Sequence, residues 1–295
     1  MDPARYIALH YEAMLPKTLP RRIARSLILV IGLSTLAYYG VLVHLDWWLY
    51  QFRRHEPVRD VNAVVLALQH SKLPLQHLGA AHADGQDWPL EAVLIRRPQA
   101  TRSACIVGGI HGNEPAGTEA ALSLVHDLAQ QPTLYANTNF AILPLANPWG
   151  YAHDLRYNAD TLDIARHFTQ GETPETRLIK AWLAQQHCDV LIDLHEDRLD
   201  RGFYVLSYEN PKATTLPALA SIVARESGIA PSRRAPGGLL LIQEKDFSKQ
   251  ERTTLSLYAR EHGTPYSYII ESPKRLDMAQ RVKLHRLWID RLLSP

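Results

Sequence analysis

Three short segments carry side chains whose types and spacing can do chemistry. GGIHGNEPAG sets an imidazole and a carboxylate three residues apart at His111 and Glu114, just past the apolar run SACIVGGI. IDLHED ends another apolar run in His195, and YIIESP ends a third in Glu271. Two imidazoles and one carboxylate are the donors of a catalytic zinc, which keeps a fourth position for water and lowers that water's pKa toward neutrality. A further glutamate from a separate strand end is then free to act as general base. Taken alone, HxxE is equally the pattern of a loop histidine and a surface glutamate. Around His195 the neighbouring Glu196 and Asp197 are rival ligands.

These residues need elements that converge on one rim. In open α/β sheets the reactive groups gather where strands end and the chain leaves as a loop. The sequence supplies such strands at Ser103–Ile110, from Phe140, at Asp189–His195 and at Pro265–Ser272. Between them lie helix-like stretches: TEAALSLVHDLAQQ from Thr118, Glu175–His187, and TLSLYAREH. PVRDVNAVVLALQHSK from Pro57 predicts an opening helix. The next segment, from Leu75, predicts a hairpin turning at Gly85, and RLDMAQRVKLHRLWIDRLL predicts a closing helix. Continuous apolar strands alternating with amphipathic helices predict an α/β fold with a mixed, largely parallel sheet covered by helices on both faces.

The order GGIHGNE, DLH, ESP resembles the zinc carboxypeptidase family over roughly Leu75–Pro273, with similarity also to the succinylglutamate desuccinylase and aspartoacylase group, which begins with an HGNE loop. The resemblance implies one zinc ion held by His111, Glu114 and His195, with Glu271 as the base that activates the zinc-bound water. It also implies an NP-x-G segment, here Asn147, Pro148 and Gly150, then an oxyanion-stabilising arginine, matched by Arg156. An Asn-Arg pair gripping the substrate's terminal carboxylate should follow. Here Arg166 matches the arginine, but Ala165 replaces the asparagine. Losing that amide donor weakens the clamp and points to an unusual peptide or an acyl-amino acid. The expected substrate-binding residues are Arg166 and Asn147.

Composition narrows the alternatives. With 32 basic and 30 acidic residues the net charge is +2, which leaves no electrostatic footprint for nucleic acid. No GxSxG elbow and no HExxH helix is present, so serine hydrolysis and thermolysin-like chemistry are set aside. Cys105 and Cys188 fall in or beside apolar runs and read as free core thiols. Arg198, Arg201, Arg233 and Arg234 read as solvated charges that could border the cleft, and Tyr258 and Tyr266 as core residues.

From Ser26 to Leu45 the chain carries no charged residue, and its ~20 residues at about 1.5 Å each would cross roughly 30 Å of hydrocarbon. Basic residues precede it and Trp47, Trp48 and Tyr50 follow, as at a membrane interface. The expected organisation is a basic segment over 1–25, a transmembrane helix over 26–45, a linker over 46–56 and a catalytic domain over 57–295. Lys17, Arg21, Arg22 and Arg25 favour an exported domain, although Arg53, Arg54 and Arg59 oppose that orientation. The expected activity is hydrolysis of an amide bond next to a free carboxylate. The alternatives are removal of an N-acyl group from an amino acid, and a membrane-anchored binding protein without catalysis.

Overall fold

A computed structural model of the chain describes residues 57–169, 171–208, 215–242 and 254–293, together with positions 23, 26, 29–35, 37, 40, 41, 45 and 52. The chain divides into two units, Met1–Phe52 and Arg53–Pro295. Within the first unit the described positions are helical, and Leu29, Val30, Leu33 and Val41 are exposed. Among the described residues no helix is long and apolar enough to cross a membrane. The membrane segment expected over 26–45 falls in part, and the 46–56 linker almost wholly, outside the described residues.

The second unit opens with helix α1 (Val61–His70), capped by the Asp60 carboxylate accepting from the Asn62 N–H at 2.8 Å. Strands β1 (Leu75–Ala83) and β2 (Gln86–Ile95) then form the expected hairpin, joined by a two-residue turn at Asp84–Gly85. Alternation follows: β3 (Arg102–Gly108), α2 (Pro115–Gln130), β4 (Thr138–Leu143), the short α3 (Pro148–Ala152), α4 (Pro174–Gln186) and β5 (Val190–Asp197). The last part comprises β6 (Tyr204–Tyr208), α5 (Leu216–Ser227), β7 (Leu239–Ile242), α6 (Leu255–Glu261), β8 (Tyr266–Pro273) and α7 (Met278–Leu293). Of these, β6, α5 and β7 occupy a stretch for which no element is predicted from sequence.

The eight strands form one mixed sheet in the order β1-β2-β4-β3-β5-β8-β6-β7, with β4, β3, β5 and β8 parallel at its centre. Alternate residues of these strands feed two separate cores. Ala104, Ile106, Ile192 and Leu194 pack on one face with Leu124, Val223 and Trp288 of α2, α5 and α7. Cys105, Val107 and Leu191 pack on the other with Ile179 and Trp182 of α4 and Leu255 of α6. Burial on both faces is why these strands are apolar throughout. Each core residue of Leu or Ile size contributes roughly 1.5–3 kcal/mol by leaving water.

One expectation is corrected. Cys105 and Cys188 are joined in a disulfide, with their Cα atoms 5.7 Å apart, rather than standing as free thiols. The pairing of β3 with β5, Ala104 opposite Val190, brings the chain just before β5 alongside Cys105. A separation of 83 residues hides that proximity in the sequence.

Candidate metal centre

The His111–Glu114 loop leaves the end of β3, where Gly109 at φ +66° turns the chain away from the sheet. The loop is tied to the segment after β4 by Ala146 N–H to Gly108 C=O at 3.0 Å and Asn147 N–H to Gly109 C=O at 2.9 Å. At Gly112 the backbone meets α3 so closely that a Cβ would stand 1.9 Å from the Gly150 carbonyl carbon, so only glycine fits. Asn147 secures the same contact. Fully buried at the start of α3, it accepts from the Gly150 N–H at 2.9 Å, and its Nδ2 lies 3.4 Å from the Ile110 carbonyl. Its amide is thereby committed to backbone.

His111, Glu114 and His195 converge from the ends of β3 and β5, each 5% exposed or less. His111 Nδ1 is 2.8 Å from Glu114 Oε1, His195 Nδ1 is 2.9 Å from Glu114 Oε2, and the two Nδ1 atoms are 3.1 Å apart. Behind each imidazole stands a carboxylate. Asp163 Oδ1 lies 3.1 Å from His111 Nε2, and Asp193 Oδ1 lies 3.1 Å from His195 Nε2. A carboxylate at Nε2 favours the tautomer whose Nδ1 bears a lone pair, and it raises the basicity of that nitrogen. Two lone pairs and a carboxylate then face one another in a buried space, an arrangement that calls for a cation between them. The donor set fits zinc.

The electrostatics agree. Burial pushes the Glu114 carboxyl up, but the charge and hydrogen bonds of His111 and His195 outweigh it and hold it well below the usual carboxylate range. Burial acts to deprotonate His195, yet Asp193 and then Glu114 overcome it and raise its pKa well above that of free imidazole. Asp163 is likewise depressed despite its burial, by His111, Arg156 and Arg166.

Around these ligands sit the other residues singled out from sequence. Arg156 bonds Asp163 Oδ2 through Nε at 3.1 Å and approaches Glu114 Oε1 at 3.4 Å, so its guanidinium borders the ligand set. Arg166 follows one turn after Asp163 and pairs with its Oδ2 through Nε at 3.1 Å, with 44% of its side chain still exposed. Ala165 is buried in the same 3-10 turn, Ile164–Arg166. Glu271 on β8 is the register partner of His195 on β5, so both side chains project from one face of the sheet. Withdrawal of water, with Glu114 and Asp197 nearby, pushes Glu271 up to about 8 against the pull of His195 and Arg156. Glu196 points elsewhere: it accepts from the Ala116 N–H at 2.6 Å and from Arg281, while its own N–H donates to Glu114 Oε2 at 3.0 Å. It braces the ligand carboxylate from behind.

Three participants escape the sequence reading. Asp163 is 52 residues from the imidazole it supports. Asp193 lies two residues before His195 on the same strand, a period-two spacing that could have flagged it. Tyr204 on β6 pairs with Glu271 across the sheet and donates to Asp197 Oδ2 at 2.9 Å. Tyr258, on α6, instead stacks on His262.

Comparison with known proteins accords with this geometry. Residues 100–225 match the succinylglutamate desuccinylase/aspartoacylase catalytic domain. The chain is 30% identical over 147 residues to carboxypeptidase 2 of Trichophyton tonsurans, covering 48% of this chain and 26% of that protein. It thus spans about a quarter of the length of that curated relative. In fold it is similar to a metallo-carboxypeptidase from Burkholderia cenocepacia, with a TM-score of 0.62 at 18% identity over 78% of this chain and 66% of that one. It is also similar to bovine thrombin-activatable fibrinolysis inhibitor, solved with a tick carboxypeptidase inhibitor, with a TM-score of 0.60 at 13% identity over 80% and 96% of the two chains. These matches bear out the resemblance to zinc carboxypeptidases and to the desuccinylase and aspartoacylase group.

Proposed function

We propose that the chain is a zinc-dependent hydrolase that cleaves an amide bond next to a free carboxylate. One observation carries this reading: the two Nδ1 atoms, 3.1 Å apart, both face Glu114 while carboxylates stand behind them. A zinc ion held by His111, Glu114 and His195 would supply Lewis acidity that polarises the scissile carbonyl and makes water a stronger acid. Glu271 takes the proton of the attacking water and delivers it to the departing amine, and a raised pKa suits a group that must both accept and release it near neutral pH. Arg156 offers its fork of donors to the developing oxyanion. Arg166, held among the described residues through Nε, offers its outer nitrogens to a terminal carboxylate.

A second reading has its own support. The match over residues 100–225 is to a deacylase catalytic domain, and Ala165 removes one donor from the carboxypeptidase clamp, so an N-acyl amino acid is the alternative substrate. Zinc-loaded protein offered peptides with free or amidated C-termini, alongside N-acyl amino acids, separates the two. Turnover of free-ended peptides alone supports the first reading, turnover of acyl-amino acids alone the second, and turnover of neither defeats both.

We further propose that the catalytic unit is exported and tethered through residues 26–45. The Cys105–Cys188 disulfide supports the exported location, because such bonds persist in oxidising compartments. Alkaline extraction of membranes tests the tether, which fails if the full chain is released. Alkylation of cysteines in intact cells tests the compartment, which is wrong if both thiols are found free.

A further inference from the structure

Beyond the metal centre, the loops that continue β5 and β8 carry a second concentration of positive charge. Arg201 lies six residues past His195, and Arg275 four past Glu271. With Arg233 and Arg234 from the loop after α5 they line one cavity of about 450 Å³. That is within the range of small-ligand sites. Among the described residues none of the four guanidinium groups forms an ion pair, and Arg275 donates only to the Arg201 carbonyl at 3.0 Å.

The one carboxylate lining the cavity is already engaged. Asp200 is buried, accepting from the Gly202 N–H at 3.0 Å through Oδ1 and from the Ser232 hydroxyl at 2.5 Å through Oδ2. Ser232 Oγ in turn accepts from the Arg234 N–H at 3.0 Å. The acid thus joins the loops that carry Arg201 and Arg234, and the charge of Arg234 acts on it, so that one carboxylate faces four guanidinium groups. All four arginines are exposed, so water screens their mutual repulsion, and with one carboxylate among four cations the hollow keeps an excess of positive charge that an anion can offset.

Position supplies the ligand's nature. Arg156 and Arg166 approach the ligand set from the side of His111, through Asp163. The cavity lies past the ends of β5 and β8, which carry His195 and Glu271, and in the sheet order these strands follow β3, whose end carries His111. We infer that it is a second anion subsite, receiving acidic side chains of a substrate whose terminal carboxylate is held at Arg166, on the opposite side of the scissile bond. This inference rests on the hydrolase reading for the direction of the substrate, but not for the presence of the subsite.

The test uses the full chain carrying Glu271→Gln to prevent turnover, with two dye-labelled pentapeptides identical except that internal glutamates in one are glutamines in the other. Fluorescence anisotropy at low salt should give at least about tenfold tighter binding of the glutamate peptide, as expected for several charge-assisted bonds acting together. Added Arg233→Gln and Arg234→Gln should remove most of that preference, and Arg233→Lys with Arg234→Lys should keep part of it. Equal affinity for the two peptides, or a preference unchanged by the glutamine pair, would overturn the subsite. His111→Ala separates the two readings. A glutamate preference that persists in this variant, in a protein whose zinc-loaded wild type turns over no peptide, means that the hydrolase reading has failed and the subsite stands. Turnover with no glutamate preference means the reverse.

Discussion

Among the buried imidazoles, His111 and His195 on one hand and His285 on the other are treated in opposite ways. At the strand ends, His111 and His195 each have a carboxylate at the far ring nitrogen and Glu114 at the near one. On α7, His285 is fully buried with no hydrogen-bond partner on either nitrogen, and burial, helped by the nearby His195 and Arg281, pushes its pKa down to about 3. The strand-end pair is built to hold positive charge and the helix residue to exclude it. Burial alone therefore does not mark a functional histidine. The carboxylate behind it does.

The sharpest way to break this comparison is to remove a ligand. His111→Ala or His195→Ala should abolish stoichiometric zinc, measured by elemental analysis after dialysis, whereas His285→Leu should leave one equivalent bound. Glu271→Gln should lower kcat by about 10²–10⁴-fold and retain zinc, since its task is proton transfer. Asp163→Asn or Asp193→Asn should weaken zinc affinity by about 10–100-fold in competition with a chelator, because the amide no longer raises the basicity of the imidazole behind which it stands.

The smallest effect concerns pH. A histidine whose folded pKa is depressed contributes stability above its unfolded pKa, and that stability is lost as pH falls, because the unfolded chain takes the proton first. For His285 the window runs from about 6.5 down to about 3. At pH 5 the loss relative to pH 8 is about 2 kcal/mol from this residue. Denaturant unfolding of wild type and His285→Leu at the two pH values should show the variant's loss smaller by that amount. Equal losses would mean that His285 is protonated or hydrated in the folded state.

The cluster of His111, Glu114 and His195 was legible because its members follow apolar runs, and a strand leaving a buried sheet announces where its next polar residue will stand. The parallel centre of the sheet was legible for the same reason. The supporting layer was not. Asp163 reads as one more polar residue in ADTLDIARHF, and only the crossover between β4 and β5 folds it onto His111. Strands β6 and β7, of five and four residues, are too short to show periodicity. The arginines at 201, 233, 234 and 275 come from three separate loops, so their gathering depends on the order of strands rather than on local sequence.

The Cys105–Cys188 bond bears on survival among proteases. Glu114 and His195 lie on opposite sides of the segment from α2 to α4, and the disulfide brackets that segment. A single backbone cut within it would leave one covalent molecule carrying His111, Glu114 and His195, and the interleaved strands would hold it in shape. Such nicked protein should run as one band on a gel until a reductant is added, then as two. An enzyme so built can lose the continuity of its chain before it loses the cluster of His111, Glu114 and His195.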